Sequence, residues 1–97
     1  MEFKKQLIQD ILDGYMDDEA LSEFVGSRDP EIAIAAATVA SPTEKLLVQS
    51  AKHANKDVRL AVLKNPKVTK EIVQVLTEDA DADVALAAKE LLPTLGE

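Results

Sequence analysis

Ninety-seven residues with a net formal charge of −7 and 46% hydrophobic content suit one soluble domain spanning residues 1–97, with a modest core. The absence of cysteine excludes disulfides, thiolate zinc sites, cysteine-held iron–sulfur clusters and cysteine nucleophiles. Alanine supplies much of the apolar content, beside two Phe, one Tyr and no Trp, so the core expected is one of helices brought close by short side chains.

The spacing of apolar residues predicts seven helices of about ten residues each. The first runs from about Phe3 to Leu12, with Leu7, Ile8, Ile11 and Leu12 on one stripe and Gly14 as its stop. The second follows Asp17 and carries Leu21, Phe24 and Val25, while the third takes Asp29 as cap and Pro30 at its first position. For the fourth, Ser41, Pro42 and Glu44 spell a Ser-x-x-Glu capping box, and Thr43 is a competing cap. The fifth follows Asn55 and stops near Asn65-Pro66, the sixth follows Thr69, and the seventh follows Asp81 and ends before Pro93. Such short helices are marginal alone in water and require packing on one another. The ends, with Glu2, Lys4 and Lys5 at the start and Thr94, Gly96 and Glu97 at the finish, read as exposed caps.

The chain also repeats at a spacing of 26 residues. The segment from Glu31 lies in register with that from Asp57, and a third copy opens at Asp83. Ile8, Ile34, Leu60 and Leu86 share a column, as do Ile32, Val58 and Val84, or Ala35, Ala61 and Ala87, or Leu21, Leu47 and Val73. Two polar columns hold Asp29, Asn55 and Asp81, and Asp17, Thr43 and Thr69, all types that accept from free N–H groups at a helix start. The expectation is an all-α, right-handed helical-repeat solenoid with Ile34, Leu60, Ala35 and Ala61 facing inward.

The run Asp57-Val58-Arg59-Leu60-Ala61-Val62-Leu63-Lys64-Asn65-Pro66, continuing through Ile72, Val73 and Leu76 to Asp79, resembles the leucine-rich repeat variant family, a relative in appearance of the HEAT and armadillo solenoids. The resemblance covers roughly residues 17–92 and implies repeats that pair an α-helix with one closer to 3₁₀. The first copy has Ala33 in place of Arg59 and its proline at Pro42, and the third has Ala85 and no Asn-Pro. The spacing also admits an ordinary HEAT-like repeat. Some members of the variant family carry an iron–sulfur cluster on a cysteine-bearing segment, a feature that a chain without cysteine does not share. The resemblance implies a shape and assigns no function.

Charge falls into three blocks: residues 1–44 carry net −7, residues 45–70 net +6, and residues 71–97 net −6. The central basic band comprises Lys45, Lys52, Lys56, Arg59, Lys64, Lys67 and Lys70, opposed only by Asp57. Lys52, His53, Lys56 and Arg59 gather at one helix junction and Lys64, Lys67 and Lys70 at the next, and a stacked array places these at opposite edges. The band reads either as a solvated face or as a surface for a partner, with Lys52, His53, Lys56, Arg59, Lys64 and Lys67 as the candidate contacts. An acidic segment of another protein fits it best, and nucleic acid is the alternative, opposed by the net acidity and the lack of stacking aromatics. Arg59 has a competing structural reading, bonded to a loop carbonyl or to Asp57. His53, the only histidine, lies near a helix end that favours its positive form and has no second histidine to build a metal site.

The acidic runs at Asp17-Asp18-Glu19 and Glu78 to Asp83 lack the glycine and closing glutamate of a calcium loop and read as helix-start charges. With no glycine-rich phosphate loop and little concave volume expected, neither enzyme activity nor a cofactor is expected. No basic segment leads into a long apolar run and no stretch suffices to span a bilayer, so a cytoplasmic location is expected. The function these features predict is a non-catalytic protein–protein interaction module or small adaptor; a nucleic-acid-associated protein, or a stabilising subunit or fragment of a larger solenoid, are the competing readings.

Overall fold

The computed structural model describes residues 2–41, 43 and 46–95, without the side chain of Glu2. Seven helices form: α1 (Glu2–Leu12), α2 (Asp18–Phe24), α3 (Pro30–Val39), α4 (Leu47–Ala51), α5 (Lys56–Lys64), α6 (Lys70–Leu76) and α7 (Ala82–Leu91), followed by a 3₁₀ turn over Leu92–Leu95. No strand occurs among the described residues. The helices form two layers, with α1, α3, α5 and α7 packed in sequence and α2, α4 and α6 backing them.

Local chemistry sets most of the boundaries. Asp17, Asp29, Asn55, Thr69 and Asp81 all cap their helices by accepting a backbone N–H, as the polar columns predict. The turn that closes α1 places Gly14 at a φ of 83°, in the left-handed region. There Tyr15 N–H reaches Asp10 C=O and Gly14 N–H reaches Ile11 C=O, a closure that a side chain at residue 14 would strain.

The fourth helix departs from expectation. It is only five residues long and has no side-chain cap; instead the Thr43 carbonyl accepts from Leu46 and Val48, and the Ser41 carbonyl accepts from Thr43 and Leu47. These tight turns stand where a side-chain cap from Ser41 or Thr43 was expected. Glu44 of the Ser-x-x-Glu box, Pro42 and Lys45 lie outside the described residues, as do Gly96 and Glu97. α7 ends at Leu91, before Pro93 as expected, and Pro93 sits inside the 3₁₀ turn that follows.

The core is alanine-rich where three helices meet. On α3 Ala33, Ala36 and Ala37, and just after it Ala40, are fully buried, while α5 contributes Val58, Ala61 and Val62 and α7 contributes Val84 and Ala88. Leu21, Leu47 and Val73 are buried on the backing layer, as their column predicts. Ala35 and Ala61 are also buried, but Ile34 and Leu60 are half-buried and Leu86 is 58% exposed. That column is displaced because residues two apart on a helix stand roughly 200° from each other, and Ala36, Val62 and Ala88 take the inward direction. Leu60→Ala is therefore expected to cost about 1 kcal/mol in urea denaturation, below the roughly 2 to 5 kcal/mol of a fully buried leucine.

Candidate functional site

The loops that lead into α3, α5 and α7 share one construction. Ser27 Oγ, His53 Nδ1 and Asp79 Oδ1 each accept the N–H of the residue two further on, at 3.1, 2.9 and 2.8 Å. Those residues are the caps Asp29, Asn55 and Asp81, whose side chains in turn accept the N–H two residues further on. Ser27, His53 and Asp79 thus act as local turn acceptors, a role hidden by their being three different residue types.

Long side chains tie these corners together. His53 accepts at Nδ1, so its proton sits on Nε2, which donates to Ser27 C=O at 2.9 Å. Arg59 holds Asp79 with both arms of its fork, Nε to Oδ2 at 2.8 Å and Nη2 to Oδ1 at 3.1 Å, and Nη1 donates to the carbonyls of His53 and Ala54. Loop carbonyls were expected as partners, but the carboxylate is Asp79 in place of Asp57, which lies two residues back on the same helix and faces solvent. The pair is largely buried, with side chains 15% and 8% exposed.

Lys56 sits on the same edge, 3.1 Å from Asp83 and 3.8 Å from Asp81. The hydrogen bond to Asp83, and then the charges of Asp81 and Asp83, raise its ammonium pKa above the ordinary lysine value. Lys4 repeats the arrangement on Asp29 and Glu31. Its hydrogen bond to Asp29 lowers that carboxyl's pKa and, with the Glu31 bond, raises its own. Asp29 therefore favours folding above the usual aspartate range, a contribution lost as pH falls through its lowered folded value. An NMR titration should show the Asp29 carboxyl protonating below the ordinary aspartate range.

The opposite edge differs. Lys64, Lys67 and Lys70 are exposed, and no ion pair involves them among the described residues. The central band is thus divided: Lys56 and Arg59 are paired with carboxylates and His53 is bonded to backbone, whereas Lys64 and Lys67 face solvent at the other edge. Lys52, at the end of α4, is exposed as well.

This second edge is built around Asn65, which ends α5 and is only 2% exposed. Its Nδ2 donates to Ala37 C=O at 2.7 Å and Ala40 C=O at 2.9 Å, and its Oδ1 accepts Lys67 N–H at 2.7 Å. Asparagine supplies two donors and an acceptor on one short stem, which suits it to close the end of α3. Beyond it a groove of about 330 Å³ opens between α5 and α7, lined by Leu60, Leu63, Lys64, Ala87, Glu90, Leu91 and, from the 3₁₀ turn, Thr94. A smaller groove of about 170 Å³ lies between α4 and α6, with Val48, Ala51 and Val75 on its walls and Lys52 and Glu71 on its rim.

Among the described residues no group of His, Asp or Glu is arranged to hold a metal ion, and no helix is long and apolar enough to cross a membrane. Comparison with family models, curated proteins and solved structures returned no match to this chain.

Proposed function

We propose that the chain is a non-catalytic protein–protein interaction module or small adaptor that takes an acidic segment of another protein. The observation that carries this reading is the unpaired edge at Lys64, Lys67 and Lys70, in a protein of net charge −7 whose other basic corner is tied to Asp79, Asp81 and Asp83. Exposed cations beside apolar groove walls provide both steering and contact area for such a segment.

The architecture proposed for it is a right-handed helical repeat with a 26-residue period, of the leucine-rich repeat variant or HEAT-like kind. Support comes from the shared corner construction at Ser27, His53 and Asp79 and from the caps at Asp29, Asn55 and Asp81. The cysteine-free composition suits the cytoplasm, where we place its work.

Capture from cell extract, scored for proteins and nucleic acid, tests the reading with wild-type protein, the triple variant Lys64→Glu/Lys67→Glu/Lys70→Glu, and Lys52→Glu/Lys56→Glu. The triple variant should lose an acidic protein that the wild type retains at moderate salt, with its helical spectrum unchanged. Identical captured material from wild type and triple variant would reject the lysine edge. Loss of nucleic acid alone would favour the nucleic-acid reading.

A further inference from the structure

The groove between α5 and α7 narrows the class of partner, an inference that rests on the interaction reading above. We propose that it receives an amphipathic helix of another protein, whose apolar stripe carries acidic residues along the flank that meets Lys64 and Lys67.

The walls have the spacing of helix packing. Leu60, Leu63 and Lys64 stand at i, i+3 and i+4 on α5, and Ala87, Glu90 and Leu91 at i, i+3 and i+4 on α7. Two such ridges with a gap between them are complementary to the ridge of a third helix. A volume of about 330 Å³ is at the small end of ligand pockets and suits a few apolar side chains lying along the gap.

The gap opens here, and closes between α3 and α5, for a reason in the side chains. Between α3 and α5, buried alanines allow close approach, and Asn65 bonds the end of α3 through Ala37 and Ala40. One repeat length later, Leu63 stands in register with Ala37 and Leu91 with Asn65. Leu63 is larger than Ala37, and Leu91 has no donor with which to reach the end of α5 as Asn65 reaches the end of α3; both leucines line the groove.

Charge then orients the occupant. Lys64 on the α5 wall has no ion-pair partner among the described residues, and Lys67 and Lys70 follow at the same end. Glu90 on the α7 wall repels acids there. An occupant therefore sets its acidic flank along α5 and any basic residue toward α7, which distinguishes one orientation from its reverse.

The test uses the full chain, isotope-labelled for NMR, and two synthetic helical peptides with the same leucine stripe, one flanked by glutamates and the other by lysines. The glutamate peptide should shift the amides of Leu60, Leu63, Ala87 and Leu91 and bind more tightly than the lysine peptide. Lys64→Glu should weaken it about fivefold, the loss of one exposed ion pair at the upper end of its range. Ala87→Leu should abolish binding by filling the groove, and Lys64→Glu keeps the test decisive if Ala87→Leu fails to fold. Shifts centred on Val48, Ala51 and Val75, or equal binding of the lysine peptide, would overturn the groove assignment while leaving the interaction reading in place. No shift with either peptide would overturn the helix-in-groove assignment, and the interaction reading would then stand or fall on capture by the triple lysine variant.

Discussion

Replacing Asn65 by alanine is expected to lower stability by about 2 to 5 kcal/mol, the sum of two or three backbone groups left without partners. The carbonyls of Ala37 and Ala40 and the N–H of Lys67 all end on this one side chain, which is 2% exposed. The carbonyls lie where α3 has run out of its own donors, so nothing within the helix can replace the lost bonds. Against a total stability of roughly 5 to 15 kcal/mol for a domain, the loss is a large fraction. Urea denaturation of Asn65→Ala measures it directly. Asn65→Asp separates hydrogen bonding from packing, because it keeps volume and the acceptor for Lys67 but turns a carboxylate toward two carbonyl oxygens. Its loss should equal or exceed that of alanine. A loss under about 1 kcal/mol for both variants would mean that water reaches the end of α3, contrary to the burial on which this account rests.

The same residue shows how far the sequence carries. Asn65-Pro66 is readable as a helix stop because proline disfavours helical geometry in the residue before it. That the asparagine also turns inward to close a different helix depends on α3 lying beside it, and no local pattern encodes that neighbour. The caps at Asp29, Asn55 and Asp81 were legible for the opposite reason, since each bond spans only two or three residues. The displaced column of Ile34, Leu60 and Leu86 lies between these cases. Periodicity identifies helices and their apolar stripes, but with alanine on several faces of α3 the small residues, and not the large ones, take the closest approach. Of the candidate contacts, Lys52, Lys64 and Lys67 are exposed as a binding role requires, whereas His53, Lys56 and Arg59 are held by partners that approach from other corners. Charge counting records how many cations a segment holds. Whether they are already neutralised depends on carboxylates 20 or 27 residues away.

Arg59→Leu should cost about 3 to 5 kcal/mol, because it leaves the Asp79 carboxylate buried beside a single N–H donor, that of Asp81. The 26-residue register proposed for the chain frames the substitution. Ala33 and Ala85 occupy the corresponding positions, so the fold accommodates a small residue there wherever no buried carboxylate needs a partner. Removing both charges in Arg59→Leu/Asp79→Leu should therefore destabilise less than the two single losses added together. The difference is the coupling between the pair, and the remaining loss belongs to the bonds with His53, Ala54 and Asp81. Arg59→Lys should fall between wild type and Arg59→Leu, since an ammonium keeps the charge but cannot span a carboxylate and two carbonyls at once. Additive losses in the double variant would show that the two side chains act independently, and would return Arg59 to the set of free cations. With strong coupling, any partner binding lost in Arg59→Leu follows from the loosened corner between α4 and α5, whereas Lys64→Glu removes a contact at the other edge without touching that corner.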